Sequence, residues 1–257
     1  MIDDDRRMIR QRFSAAALRY AELADIQAAI ARGLTQKLDV RGACVLDVGA
    51  GNGAVAEDLL RAGGRVVALD VARGMIDAGR LRLPQAAWIQ ADACALPLRS
   101  GCLDVVASAS AYQWVHDLPC AFSEARRVLK PGGILSAVMF SRGTLMEFFQ
   151  SLERAAAVLE KPLPFLRYLP AEAEVRAAMM SAGFKAFKLS TEKRTTAFST
   201  VTALLGWLKG IGANSLARQF YWGKGLLALT EKEYRARFAQ GDKLRATFDL
   251  VWIEATA

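Results

Sequence analysis

Three glycines and an acidic residue follow the first strongly apolar stretch of the chain. The segment VLDVGAGNG, residues 45–53, runs through Asp47 into Gly49, Gly51 and Gly53. Glycines in such a turn let the backbone approach a ligand closely. In open parallel sheets, ligands bind beyond the carboxyl ends of the strands. The motif therefore predicts a small-molecule site at the end of a strand.

Two classes of ligand compete for this turn. A dinucleotide would place its pyrophosphate there, but its fingerprint is G-x-G-x-x-G, whereas this chain has G-x-G-x-G. Asp47 would also repel a pyrophosphate, and that repulsion is costly in a cleft of low dielectric constant. S-adenosylmethionine carries a sulfonium and an ammonium group and no phosphate, so Asp47 would attract it. The motif favours the cationic ligand.

Two more aspartates end the next two predicted strands. Asp70 closes VVALD and is placed to accept both ribose hydroxyls of either cofactor, and Asp92 in QADACALP could receive the adenine amino group. Met75 and Leu96 could enclose the adenine ring. A single aspartate at such a place is equally well explained as a turn or helix cap. Three in order at successive strand ends favour one shared ligand.

The elements that would position these residues follow from the apolar pattern. Short apolar strands alternate with helices between residues 41 and 140, which is typical of a parallel, doubly wound sheet. The first forty residues are alanine-rich with helical spacing. The second half is predicted to contain helices at 143–160, 171–183, 199–209 and 230–241 and strands at 184–198 and 246–257.

The composition limits the class of protein. With 257 residues and 53% apolar residues the chain can bury a sizeable core, and no run is long enough to span a bilayer. The start, MIDDDRRMIRQRF, lacks the apolar stretch of a secretory signal, so we expect a cytoplasmic protein without a membrane partner. Four cysteines without Cys-x-x-Cys spacing and a single histidine predict reduced, mostly buried thiols and no metal site.

The net charge of +8 is unevenly divided. Residues 1–140 contain 17 basic and 15 acidic residues, and residues 141–257 contain 17 and 11, so the two parts carry +2 and +6. This surplus would attract an acidic partner, although a solvated basic surface explains the charge alone more simply. No NPPY-like tetrad and no basic tract interleaved with aromatic residues is present, so we do not expect a nucleic-acid partner.

The ordered motifs resemble those of class I S-adenosylmethionine-dependent methyltransferases. They are VLDVGAGNG at 45–53, VVALD at 66–70, ADACALPL at 91–98, LDVVASASAYQWVHD at 103–117 and EARRVLKPGGIL at 124–135. The resemblance implies an α/β fold with a doubly wound, mostly parallel, Rossmann-like sheet of seven strands and a helical cap.

The same resemblance implies one methyltransferase domain over residues 1–257. Helices within 1–40 would fold over the cofactor, 41–140 would bind it, and 141–170 with 197–229 would form the cap and substrate region. The cofactor would be S-adenosylmethionine and its product S-adenosylhomocysteine, with no metal. The implied cofactor-binding residues are Asp47, Gly49, Ala50, Gly51, Gly53, Asp70, Val71, Met75, Asp92, Ala93, Leu96 and Ser108.

Other stretches are similar to the malonyl-acyl carrier protein O-methyltransferases of biotin synthesis. They are RQRFSAAALRYAELADIQ at 10–27, AYQWV at 111–115, RYLPAEAEV at 167–175, LLGWLKGIGANS at 204–215 and the closing TFDLVWIEA. This resemblance implies methylation of the free carboxylate of malonyl-acyl carrier protein. Carrier proteins are acidic, and the basic second half of the chain would steer one towards the site.

A carboxylate substrate needs positioning rather than deprotonation, because it is ionised at neutral pH. The site must align its oxygen with the methyl group and exclude water. Orienting the malonyl group suits Arg or Lys together with neutral donors, which Lys209 or Arg142 could provide. Tyr20, Gln113 and Trp114 could shape the pocket. A solvated position at a helix end explains Lys209 equally well.

Two other functions remain open from the sequence. A small-molecule methyltransferase acting on a phenol or quinone precursor shares every cofactor motif, and His116 could be its general base, although a surface position in its loop requires no role. Loss of activity without His116 and indifference to a carrier protein would favour it. A non-catalytic binding module of the same fold predicts no cofactor binding, which disagrees with the intact glycine and aspartate set.

Overall fold

A computed structural model describes residues 2–23, 25–162, 169–213 and 223–257, without the side chains of 2–6 and 18–23. In chain order the elements are α1 Ile2–Leu23, α2 Asp25–Thr35, β1 Cys44–Val48, α3 Ala54–Arg61, β2 Arg65–Asp70, α4 Arg73–Arg82, β3 Ala87–Gln90, β4 Leu103–Ala109, a 3-10 turn Tyr112–Trp114, α5 Leu118–Val128, β5 Leu129–Phe140, α6 Met146–Val158, α7 Glu172–Ser181, β6 Ala186–Phe198, α8 Val201–Gly210, α9 Lys224–Phe238, β7 Ala239–Gln240 and β8 Lys243–Thr256.

The strands form one mixed sheet in the order β3-β2-β1-β4-β5-β8-β6, with β7 paired to β8. Neighbours from β3 to β5 are parallel, whereas β8 runs antiparallel to β5 and β6. The predicted seven-stranded, mostly parallel sheet is confirmed. The two-residue β7 is additional, and two residues are too few to show a period-two pattern. The strand order reverses between β1 and β4, which is where open sheets of this kind bind ligands.

Helices cover both faces of the sheet and bury separate apolar cores. On one face, α2, α3, α6, α8 and α9 contribute residues such as Ile30, Leu59 and Tyr234. On the other, α5 and α7 contribute Phe122 and Met179. Because both faces are covered, the central strands are almost continuously apolar. No helix in the described ranges is both long and apolar enough to cross a membrane.

Two helices, α6 and α9, differ most from the sequence predictions. Helix α6 begins at Met146 rather than at 143, because Leu145 has a left-handed backbone (φ 57°) that is incompatible with a preceding helical turn. Helix α9 spans Lys224–Phe238 instead of 230–241. Its first turn follows Gly223, and the neighbouring glycines concealed the helical pattern there.

Helix α1 packs across the site end of the sheet, where it contacts α4 and α8. Its contact with α4 is close: the backbone N–H of Gly74 donates to Ser14 Oγ at 3.2 Å. A Cβ at Gly74 would lie 2.6 Å from the Ser14 carbonyl oxygen. Glycine at this position therefore allows α1 to reach the carboxyl ends of β1 and β2.

Candidate functional site

A cavity of about 550 Å³ lies between α1 and the carboxyl ends of β1 to β4. This volume is in the usual range for small-molecule and cofactor sites. We call it the outer cavity. Its walls are formed by Arg7, Ile9, Arg10, Phe13, Val48, Gly49, Gly51, Leu69, Asp70, Val71, Met75, Gln90, Ala91, Asp92, Ala93, Cys94, Ala109, Ser110, Ala111, Trp114, Val115 and His116.

The glycine turn forms the floor of the outer cavity, and its three glycines have different tasks. All three have positive φ, of 71° at Gly49, 55° at Gly51 and 92° at Gly53. A Cβ at Gly49 would lie 2.1 Å from the Cβ of Ala111, whereas one at Gly51 would meet no atom within 4 Å. Gly53 does not line the cavity and precedes α3 as its N-cap. Thus Gly49 allows close packing, and Gly51 leaves open space.

Asp70 holds the turn in place. Its carboxylate accepts hydrogen bonds from the backbone N–H of Gly51 at 2.9 Å and of Ala72 at 2.8 Å. Burial raises the pKa of Asp70, and these N–H donors partly offset the rise. A carboxylate offers roughly four acceptor positions. Asp70 therefore keeps acceptor capacity for ligand hydroxyls while it supports the turn.

Asp47 is fully buried beside the turn and does not line the outer cavity. Neither of its carboxylate oxygens has a hydrogen-bond partner among the described residues. Burial, followed by the negative charge of Asp70, raises the pKa of Asp47 to about 8. The backbone N–H of Ala56 points its positive end at the carboxylate and lowers the pKa slightly, although it lies outside hydrogen-bond geometry. A buried, unpartnered carboxylate next to a cavity fits a cationic ligand.

The remaining predicted cofactor residues divide into two groups. Val71, Met75, Asp92 and Ala93 line the outer cavity, and Asp92 also accepts the backbone N–H of Cys94 at 2.9 Å. The others, Ala50, Leu96 and Ser108, are buried and do not line it.

Two of these buried residues have structural contacts. Ser108 Oγ donates to the Val48 carbonyl at 2.8 Å and joins β4 to β1. The backbone N–H of Leu96 donates to Glu124 at 2.8 Å. Direct contacts of Ala50, Leu96 and Ser108 with a cofactor remain predictions.

Helix α1 adds residues that the motif analysis did not assign. Arg7 and Arg10 line the outer cavity and give it a cationic side that suits a carboxylate. Arg12 lines neither described cavity, and its Nη1 is buried with no partner among the described residues. The position of these arginines depends on how α1 docks, which no local pattern encodes. Ser110 follows β4 directly, so the strand-end rule used for the aspartates could have identified it.

A second, inner cavity of about 40 Å³ adjoins the outer one and shares Phe13, Ser110 and Trp114 with it. The Phe13 and Trp114 rings pack edge to face, with their centroids 5.5 Å apart. The inner cavity is lined by Phe13, Gln27, Ser110, Gln113, Trp114, Phe140, Thr144, Leu145, Leu169, Trp207, Leu208, Ile211, Ala213 and Phe248.

The predicted substrate residues are not brought together as a set. Gln113 and Trp114 line the inner cavity. Arg142 lines neither cavity; it is half exposed and forms an ion pair with Glu174 at 2.7 Å. Lys209 is exposed near the end of α8 and lines neither cavity. Tyr20 belongs to α1, and its side chain lies outside the described residues. Their roles remain predictions.

His116 is exposed and lines the outer cavity. All four cysteines are free. Each is partly buried, in a turn or near the end of an element, and Cys44, Cys94 and Cys102 pack against the apolar core. Within the described part of the chain, no group of three or more His, Cys, Asp or Glu residues could hold a metal ion.

Comparisons with known proteins agree with this geometry. A family model described as a methyltransferase domain matches residues 46–137. A malonyl-[acyl-carrier protein] O-methyltransferase from Geobacter sulfurreducens is 33% identical and covers 96% of this chain and 97% of its own. One from Xylella fastidiosa is 32% identical over 97% of this chain and 87% of its own.

Solved structures support the fold. The YcgJ protein from Bacillus subtilis has a TM-score of 0.66 at 17% identity and covers 89% of this chain and 97% of its own. Geranyl diphosphate C-methyltransferase from Streptomyces coelicolor, in a complex with S-adenosyl-L-homocysteine, has a TM-score of 0.53 at 18% identity and covers 93% and 82%. Because the similarity to the Geobacter protein spans nearly the full length of both chains, this chain belongs to the malonyl-[acyl-carrier protein] O-methyltransferase family of S-adenosylmethionine-dependent enzymes.

Proposed function

We propose that this enzyme methylates the free carboxylate of malonyl-acyl carrier protein, the malonyl thioester used in biotin synthesis. The observation that carries the proposal is the lining of the inner cavity. Its described residues include no His, Asp, Glu, Lys or Arg. A phenol or an amine would require a base to remove a proton, whereas a carboxylate is already ionised at neutral pH. The near full-length similarity to enzymes with this name supports the same substrate.

The outer cavity is proposed to hold S-adenosylmethionine. Gly49 and Gly51 would leave room for its amino-acid part, Asp47 would favour its positive charge, and Asp70 and Asp92 would accept hydrogen bonds from the nucleoside. When bound, this cofactor supplies a methyl carbon that bonds to the carboxylate oxygen as its bond to sulfur breaks, giving a methyl ester and a neutral thioether without proton transfer. No metal is required for this reaction.

The protein's contribution is therefore alignment and exclusion of water. Phe13 and Trp114 line both cavities, so they would hold the substrate group close to the methyl donor. In this proposal the helices within 1–40 cover the cofactor, and the segments 141–170 and 197–229 form the cap over the substrate. Residues 163–168 and 214–222 of these segments lie outside the described residues. The +6 charge of residues 141–257 would steer the acidic carrier protein.

The test is mass spectrometry of malonyl-acyl carrier protein incubated with enzyme and S-adenosylmethionine. Acetyl-acyl carrier protein, which has no free carboxylate, is the matched control. We expect a gain of one methylene mass on the malonyl form alone. No gain by an enzyme that binds S-adenosylhomocysteine would reject the substrate while leaving the methyltransferase class intact.

One observation keeps a small-molecule substrate as the second candidate. His116 lines the outer cavity and is exposed, so a phenol entering there could meet a base. Under this alternative, a His116→Gln variant loses activity towards the phenol, whereas under the carboxylate proposal it retains turnover of malonyl-acyl carrier protein.

A further inference from the structure

Three of the polar side chains that line the inner cavity, Gln27, Ser110 and Gln113, have atoms without a partner among the described residues. The hydroxyl of a fourth, Thr144, is paired with the Asp249 backbone. Gln27 and Gln113 are only 8% and 3% exposed. The Oε1 atoms of both and the Oγ of Ser110 are buried and have no hydrogen-bond partner among the described residues. Gln113 Nε2 donates one hydrogen bond, to the Ser110 carbonyl at 2.8 Å. Buried polar groups are normally paired, so this cluster has hydrogen-bonding capacity left for a ligand. As placed, only the Ser110 hydroxyl among the three unpaired atoms can donate, because the two Oε1 atoms are acceptors.

Ser110 adds a second observation at the junction of the two cavities. It lines both of them, immediately after the end of β4. Its φ of 61° places a residue other than glycine in the left-handed region. Such strain is concentrated at functional sites, where the surrounding structure holds a group in a required position. The side chain of Ser110 is thereby held between the proposed methyl donor and the inner cavity.

The inner cavity is small. A volume of about 40 Å³ accommodates about three water-sized groups, since one water needs roughly 10–15 Å³ by this measure. The carboxymethyl end of a malonyl group has four non-hydrogen atoms and matches this space. A phenol or quinone ring has six carbons in its ring alone and would require the aromatic walls to move.

The lining is also uncharged, which has a catalytic rationale. In methyl transfer to a carboxylate, the negative charge on oxygen and the positive charge on sulfur both disappear. An arginine against the carboxylate would stabilise the starting charges more than the transition state and would oppose the reaction. Neutral donors orient the oxygen with less of this penalty. Arg12, whose Nη1 has no partner among the described residues, does not line the inner cavity.

We propose that Gln27, Ser110 and Gln113 bind the substrate's free carboxylate through neutral hydrogen bonds in the inner cavity. The donors are the Ser110 hydroxyl, an amide N–H of Gln27 and the second N–H of Gln113 Nε2, whose first N–H already binds the Ser110 carbonyl. The Oε1 of Gln113, which has no partner among the described residues, is an acceptor and is not paired by a carboxylate. A half-turn of the Gln27 amide exchanges its nitrogen and oxygen without changing its shape. This assignment rests on the proposed function and specifies how the enzyme selects a short acyl chain that ends in a carboxylate.

The experiment uses the full chain and compares Gln27→Met and Ser110→Ala with the wild-type enzyme. The matched control is Gln36→Met, the same change at an exposed residue just beyond α2. We expect each cavity variant to raise KM for malonyl-acyl carrier protein or lower kcat, with kcat/KM falling ten-fold or more, because a hydrogen bond to a charged group is lost. The dissociation constant of S-adenosylhomocysteine should change less than three-fold.

A charged variant sharpens the test. Gln27→Glu keeps the size of the side chain and adds a negative charge, so it should lose more activity than Gln27→Met because it repels the substrate carboxylate. An equal or smaller loss contradicts a carboxylate at this position.

Three other results overturn the assignment. The first is a kcat/KM that is unchanged in both cavity variants. The second is loss of S-adenosylhomocysteine binding in both variants, because that result would show that these residues serve the fold. In either case the wild-type enzyme still methylates malonyl-acyl carrier protein, so the proposed function survives. If instead the wild-type enzyme binds S-adenosylhomocysteine but leaves malonyl-acyl carrier protein unmodified, the substrate proposal fails and this assignment fails with it.

Discussion

The outer and inner cavities are lined by different parts of the chain and by different chemical groups. The outer cavity takes most of its wall from one continuous part of the chain, residues 48–116, where backbone turns and aspartates follow β1, β2 and β3. The inner cavity collects aromatic, aliphatic and amide side chains from residues as distant as Phe13 and Phe248. The outer cavity is shaped by backbone geometry and charged side chains, with Asp70 and Asp92 at the strand ends and Arg7 and Arg10 on α1. The inner cavity is shaped by apolar packing and neutral hydrogen-bonding groups.

This difference agrees with the two tasks of the enzyme. A large, charged, multi-part cofactor is recognised by rigid backbone and fixed acceptors. A reacting carboxylate benefits from a dry pocket that does not over-stabilise its charge. Substitutions in the two cavities should therefore have different effects. Those in the outer wall should weaken cofactor binding, and those in the inner wall should lower substrate turnover.

The largest effect is expected from Gly49→Ala in the outer wall. The added Cβ would lie 2.1 Å from Ala111 Cβ at a residue whose φ is 71°. Backbone strain at residue 49 and the clash with the loop after β4 both raise the free energy of the turn in this variant. We expect S-adenosylhomocysteine affinity, measured by calorimetry, to fall on the order of 100-fold or more.

Gly101→Ala is the control for backbone strain alone. Gly101 has a φ of 64°, but a Cβ there would meet no atom within 4 Å. It should lower the free energy of unfolding by roughly 1–2 kcal/mol and leave cofactor affinity intact. If Gly49→Ala binds S-adenosylhomocysteine as the control does, close packing of the turn is unimportant for the outer cavity.

The second effect tests, through its dependence on pH, the negative charge of Asp47, which is buried beside the glycine turn of the outer cavity. The pKa of Asp47 is raised to about 8 by burial and by Asp70. Between the ordinary carboxyl pKa and this value, the folded protein without ligand therefore holds a proton on Asp47 that the unfolded chain has lost. The stability contributed by that proton is complete below the ordinary carboxyl pKa and is lost as pH rises towards 8. A bound cation favours the ionised form, so cofactor affinity should rise with pH over the same interval and level off above it.

Asp47→Asn should remove both pH dependences and weaken S-adenosylhomocysteine binding about ten-fold or more. Calorimetric titrations between pH 6 and 9 measure the affinity, and thermal unfolding of the protein without ligand measures the stability. A pH profile that is the same in wild type and variant would show that Asp47 does not titrate in this range.

The division between the cavities also explains what the sequence could predict. Asp47, Asp70 and Asp92 were found because parallel strands bring their carboxyl ends to one edge, so local sequence order becomes spatial order. The main sheet followed from apolar strands that alternate with helices, whereas the short β7, the start of α6, both ends of α9 and the start of β8 were not predicted. Gln27 lies in α2 and lines the same inner cavity as Gln113 only because α2 docks against the sheet, which leaves no local signal.

The sequence likewise shows the net charge of each part of the chain but not the location of each charged side chain in the fold. Residues 141–257 carry the +6 surplus, and Arg142 and Lys209 within them were predicted to orient the malonyl carboxylate. The structure places both outside the two cavities and pairs Arg142 with Glu174. Long cationic side chains reach solvent more readily than a buried pocket, and only the fold shows which way each one lies.

The smallest effect is therefore expected from Arg142→Gln and Lys209→Gln. Exposed ion pairs contribute roughly 0–1 kcal/mol, so the stability and the kcat of each variant should stay close to wild type. Steering of an acidic carrier protein acts on the encounter rate, so kcat/KM should fall about two- to three-fold at low salt and converge with wild type as salt rises. The wild-type kcat/KM should itself decline with salt. If either variant instead loses most of its kcat, a cation reaches the reacting carboxylate, and the contrast between a charged outer cavity and a neutral inner one no longer holds.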